Sequence, residues 1–269
     1  MKTSHAIFLA SAIGLPALQL SAHPMQQHDT GAFERVRQSI PANLPEDMQV
    51  ILRQLFSPNR AMSHDGIPAL EQSGESAVRV VPFLLKVVSQ ENVQLALMKR
   101  AIPWTPGVAA LQSLREIKEI AQPQIIEALR TASADEVRAA AAWLLGKLYR
   151  GGGNENSARP INEHVREAIL GALSDSSPRV VAEAARSAGR LFVRHAEPQL
   201  IALLEHESRS VRLNAALALG QLESVAAARP LLKLLKDPDE RVRATAAHAL
   251  GQIGVPWVAP ELLPLLDPK

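Results

Sequence analysis

The chain contains no cysteine. That excludes disulfides, thiolate nucleophiles, thiolate metal ligands and lipid attachment at cysteine. Aromatic residues make up only 3% of the 269 residues although 47% are hydrophobic, so the core must be built from Ala, Leu and Val. Such side chains suit closely stacked helices and suit a twisted sheet poorly. Neither charge sign is in excess: 29 Lys and Arg stand against 27 Asp and Glu, a formal net charge of +2. The broad basic field that nucleic-acid binding draws on is therefore missing. Catalytic and phosphate-binding signatures are missing too. No GxxxxGK[ST], GxSxG or HExxH text occurs, and Gly151-Gly152-Gly153 lacks both the lysine and a preceding strand.

A repeated pattern fills the second half. Its copies are Val137-Arg138 with Ala141-Ala142 and Leu145-Gly146, Val180 with Ala184-Ala185 and Gly189, Val211-Arg212 with Ala215-Ala216 and Leu219-Gly220, and Val242-Arg243 with Ala246-Ala247 and Leu250-Gly251. The last three valines are 31 residues apart, as are the last three glycines. A fixed period of this length signals a stack of like supersecondary units. Gly146 and Gly189 are 43 residues apart, and the excess falls in a flexible glycine-rich insertion at 150–160. Each unit reads as two helices. The first carries Leu-Leu steps such as Leu231-Leu232 and Leu234-Leu235, and an acidic turn such as Asp237–Glu240 follows. The second starts at the Val, lets its neighbours approach through Ala pairs, and is expected to end on the Gly as a C-cap.

Upstream the pattern degenerates. Val78, Val81, Leu85 and Val88 mark one helix, and Val93, Leu97 and Ala101 mark the next. Ala109-Ala110, Leu114 and Ile117 lie in phase with the later copies, with Arg115 where they have Gly. The repeat array therefore spans 67–269 and is clearest over 121–269. At its C-terminal end Leu262-Leu263 and Leu265-Leu266 repeat Leu231-Leu232 and Leu234-Leu235 as a further first helix, expected to cap the stack. Residues 23–66 form an N-terminal arm and helix. Here 23–44 is expected to be extended or weakly ordered, Pro45–Phe56 helical with Met48, Ile51, Leu52 and Leu55 on one face, and Ser57–Pro68 a loop.

The DPxxVRxxAAxALG text resembles HEAT repeats of the short type found in phycobilisome bilin lyases. The resemblance implies an all-α, right-handed α-solenoid in which the second helices line the concave side. It does not imply an activity, because scaffolds, enzymes and adaptors share such repeats. Counting from each Val as position 0, positions 0, 4, 8 and 11 are apolar or small and face the core. Positions 3, 6 and 10 form a separate stripe: Ala140, Trp143, Lys147; Glu183, Arg186, Arg190; Asn214, Leu217, Gln221; Thr245, His248, Gln252. The stripe differs from copy to copy over a uniform core. Its candidate partner-binding residues are Trp143, Lys147, Glu183, Arg186, Arg190, Asn214, Leu217, Gln221, His248 and Gln252, with Trp143 and Leu217 as anchors. Arg138, Arg212 and Arg243 are expected to join repeats by pairing with turn carboxylates, as the Asp/Arg ladder of HEAT arrays does. Deoxyhypusine hydroxylases hold two irons with repeated His-Glu pairs. The single pair here, His206-Glu207, falls in a turn and cannot supply those ligands. No catalytic residue and no cofactor is predicted.

The N-terminus reads as a signal peptide at 1–22: Lys2, an uncharged apolar run from Ala6 to Leu20, then Ser21-Ala22. That run is shorter than the roughly 20 residues of a spanning helix, so no integral membrane segment is expected after cleavage. The expected location is periplasmic or secreted, which conflicts with cytosolic bilin-lyase or DNA-glycosylase roles. The sequence thus predicts a non-catalytic exported scaffold or adaptor that binds another protein along the concave face and binds no nucleic acid. The alternative is a periplasmic metal-binding protein or enzyme. In that reading the mature N-terminal His23 chelates through its amine and imidazole, with Met25 and His28 near in sequence and His64 joining from the loop. Export is tested by intact mass: protein recovered from the host envelope should lack residues 1–22, whereas a full-length cytosolic species would contradict it.

Overall fold

Alanine and leucine at helical spacing fold as the pattern requires, and no strand occurs among the described residues. The computed structural model describes residues 30–91, 93, 103–149 and 161–256. The expected signal peptide, His23, Met25, His28, the expected insertion and the expected half-repeat after 256 lie outside these. The first helices are α1 (Thr30–Gln38), α2 (Glu46–Leu55), α3 (Arg60–Gln72) and α4 (Val81–Gln90). Next come α5 (Pro106–Glu116), α6 (Lys118–Thr131) and α7 (Asp135–Leu148). They are followed by α8 (Glu163–Ala172), α9 (Pro178–Arg190), α10 (Glu197–Ala202), α11 (Arg209–Gln221), α12 (Ala228–Leu234) and α13 (Glu240–Ile253). The helical repeat solenoid expected from the sequence is what these elements build.

The N-terminal region is more ordered than its composition suggests. Part of the expected arm is α1, which buries Phe33 in the common core. The expected loop at Ser57–Pro68 is mostly α3. Three of the residues that signal a break there have other uses. Asn59 caps α3 by accepting from the Ala61 and Met62 amides. Gly66 lets the α2 backbone come close, since a Cβ on it would stand 2.9 Å from the Leu55 nitrogen. Ser63 donates to the Leu55 carbonyl. The α2 expectation holds: Met48, Leu52 and Leu55 are fully buried, and Ile51 packs at their edge.

In the second half α6, α8, α10 and α12 form one layer and α7, α9, α11 and α13 the other. Contacts between successive members of the second layer are the most extensive in the described fold, while first-layer helices touch one another far less. The glycines explain the difference. They are not C-caps: Gly146, Gly189 and Gly220 lie inside α7, α9 and α11. A Cβ on Gly146 would meet Ser187, one on Gly189 would meet the Ala218 Cα at 2.7 Å, and one on Gly220 the Ala249 Cα at 2.8 Å. Position 9 of each helix is therefore the bed for position 7 of the next. Ser187 adds a hydrogen bond across the first of these seams, donating to the Ala142 carbonyl at 2.8 Å. The left-handed capping role falls three residues later, at Phe192, Glu223 and Gly254, again 31 apart (φ 52°, 53° and 69°). The layer whose helices approach more closely spans the shorter arc, so α7, α9, α11 and α13 form the inner face.

Arginine rungs tie the turns together. Arg138 donates through Nε and Nη2 to Asp175 at 2.8 and 2.9 Å, and Arg212 does the same to Asp237 at 2.7 and 3.0 Å. Each guanidinium also reaches carbonyls of its own turn, Ala132 and Ser133 or His206 and Glu207. Bonds from the arginine hold both aspartates below the usual carboxylate range. At the intervening seam both partners change at once. Val181 replaces the arginine and His206 the aspartate, and Val181, Ala182 and Val211 pack there with Leu203. Arg243 makes the same bonds to its own turn, donating to the carbonyls of Asp237 and Pro238, while the place on the next repeat equivalent to Asp237 lies outside the described residues.

The array stops being regular at α7. The inner neighbour on its far side is mainly α4, although the 31-residue phase points to α5. Arg115 of α5, which replaces the repeat glycine, is correspondingly exposed. Gly220→Ala should destabilise the protein by about 1–3 kcal/mol through overpacking. Gly251→Ala, whose Cβ meets nothing within 4 Å among the described residues, should be neutral or stabilising by up to about 1 kcal/mol. Denaturant unfolding of the two variants checks this, and equal destabilisation would contradict it.

Candidate partner-binding face

The sequence-predicted stripe divides in two once it is placed on the inner layer. Several members are consumed in joining repeats. Asn214 is buried, accepts from Arg186 Nε at 3.1 Å through Oδ1, and donates to the Ser210 carbonyl at 2.9 Å. Gln221 and Gln252 lie over the glycine of the preceding repeat: their Oε1 atoms sit 2.5 and 2.4 Å from where a Cβ of Gly189 or Gly220 would stand. Position 10 therefore covers a seam as well as facing outward. Glu183 and Arg186 approach to 4.0 Å on one turn of α9, and Lys147 and Arg190 are likewise engaged with other groups. What remains accessible is Lys147, His248 and Gln252, with Ala140, Leu217 and Thr245 half-buried beside them.

Trp143 departs from the expectation of an exposed anchor. It is only 4% exposed, because α4 comes up against α7. The ring forms part of a cleft of about 460 Å³ between the end of α4 and the first turns of α7 and α9. Val88, Val93, Ala139 and Ala140 supply its apolar lining, and Glu91, Glu136, Glu183 and Arg179 its charges. Glu136 and Arg179 form an ion pair at 3.7 Å with both side chains about half exposed. Glu91 is fixed against the first turn of α5: its Oε2 stands 2.5 Å from where a Cβ of Gly107 would be. Sequence periodicity missed the α4 contribution because it assigned the place beside α7 to α5. The apolar run Phe83–Val88, too long for one helix face, was the available signal.

Of the alternative metal set, His64 alone lies among the described residues. His64 stacks on Trp104 with ring centroids 5.9 Å apart, and Arg60 lies 5.4 Å from the same ring. No group of three or more His, Asp or Glu side chains suited to a metal ion occurs among the described residues. None of the described helices is long and apolar enough to cross a membrane.

Family models agree with this geometry: HEAT repeats match residues 197–269 and a HEAT-like repeat matches residues 163–222. The chain carries HEAT repeats over residues 163–269. No curated protein matches the sequence. Solved structures similar to the chain include a designed armadillo repeat protein in complex with a (KR)4 peptide, 20% identical, covering 78% of this chain and 100% of that one, TM-score 0.46. The complex of CpcE and CpcF of phycocyanin lyase from Nostoc sp. PCC7120 is 21% identical over 83% of this chain and 84% of that one, TM-score 0.41. Human deoxyhypusine hydroxylase is 19% identical over 82% and 88%, TM-score 0.39.

Proposed function

We propose that the protein is an exported, non-catalytic scaffold or adaptor that binds another protein along the inner face of α7, α9, α11 and α13. One observation supports this most directly. Positions 4 and 8 repeat almost unchanged in the buried seams, while positions 3 and 6, half-buried to exposed except at Trp143 and Asn214, are unlike in every repeat. Solenoids present their partners with an extended surface of this kind, in which the repeated part holds the stack and the variable part meets the ligand. A mixed surface of Leu217, Thr245, His248 and Lys147, with few charges of one sign, suits a polypeptide better than a polyanion.

Site-specific photocrosslinking tests the reading. A benzophenone amino acid at Leu217 or His248 should capture a discrete protein from the host envelope. The same group at Glu205 or Lys233, exposed on the first-helix side, should not. Capture only from the first-helix side would contradict the proposal.

A further inference from the structure

The cleft floored by Trp143 has a chemistry of its own, and we infer that it receives a lysine or arginine side chain of the bound protein. This inference rests on the scaffold reading and specifies its partner. Among the described residues three carboxylates line the cleft, those of Glu91, Glu136 and Glu183, together with the guanidinium of Arg179, while Arg186 approaches Glu183 to 4.0 Å from the next turn of α9. The one ion pair among them, Glu136 with Arg179, is a surface contact at 3.7 Å between half-exposed groups. Such pairs contribute little and exchange readily. An incoming cation can therefore replace Arg179 at Glu136 without breaking a buried bond. The Glu91 carboxylate, which also lines the cleft, lies against the first turn of α5 at Gly107.

Part of the cleft lining is apolar. Trp143 lines it with Val88, Val93, Ala139 and Ala140, which matches the methylene stem of a long basic side chain whose charged end stays near the rim. An indole is also the aromatic group that best attracts a cation. An anionic side chain would meet three like charges, and a wholly apolar one would strip water from them without replacement. A volume of about 460 Å³ accommodates one such side chain together with the backbone that carries it. The cleft opens between α7 and α9 on the layer proposed to dock the partner, so the cation arrives on a polypeptide.

The test uses the full-length protein and a fluorescein-labelled, C-amidated tetra-arginine peptide, followed by anisotropy. Saturable binding is expected, with a loss of about tenfold in Glu136→Gln/Glu183→Gln and a gain of about threefold in Arg179→Gln. Glu205→Gln/Glu207→Gln, which removes two exposed carboxylates elsewhere, should leave the affinity unchanged. Circular dichroism confirms that each variant is folded. Equal binding of a tetra-glutamate peptide, or displacement by free arginine amide at the same concentration as by the peptide, would overturn the inference. So would an affinity in Glu136→Gln/Glu183→Gln within about twofold of the native protein. Crosslinking from Leu217 together with no tetra-arginine binding also overturns it, and leaves the docking face standing.

Discussion

The fold depends on how closely α7, α9, α11 and α13 approach one another. An alanine pair allows two helices to come near, but the glycine at position 9 determines how near. With no Cβ at 146, 189 or 220, the next helix settles with its position 7 against bare backbone. Dispersion is short-ranged, so a seam at this distance gains contacts along its whole length. The outer helices are separated by leucine side chains and cannot match that spacing. The stack then bends toward its glycine-bearing layer, and the inner face is a consequence of packing before it is a surface for anything else.

That origin limits what the face can offer a partner. Asn214, Gln221 and Gln252 sit where exposed side chains would be expected, yet they are held across seams: Asn214 by Arg186 and Ser210, the glutamines over glycines. Chemical variety is left to positions 3 and 6 and to the irregular end where α4 meets α7. The arginine rungs lie at the turns and leave the inner surface free. Where a rung is absent, Val181 and Val211 fill its place with apolar packing. Loss of both charges together avoids an unpaired ion in a half-buried turn.

Much of this was legible in the sequence, for a physical reason. A solenoid repeats one environment, so the same residues recur at one spacing, and Val, Ala-Ala and Gly at 31-residue intervals give the helices, their pairing and their core faces. The misreadings share a cause as well. Glycine was assigned to caps because its backbone freedom is its commoner use, whereas Gly189 and Gly220 are present for their lack of a side chain. Ser63 and Gly66 suggest a loop because their contacts with Leu55 of α2 are not local. Trp143 was placed on an open surface because nothing in the periodic text shows that α4 displaces α5 beside α7. Period encodes what each repeat does to the next and is silent where the array ends.

The central claim is that the second helices follow the shorter arc. A chain without cysteine allows a direct measurement by double electron–electron resonance between engineered spin-labelled cysteines. One pair replaces Glu136 and Arg241, at the starts of α7 and α13. The other replaces Glu127 and Lys233, on α6 and α12. Both pairs span the same three steps of the stack. The account predicts a clearly shorter distance for the Glu136–Arg241 pair, and equal distances or the reverse order would contradict it.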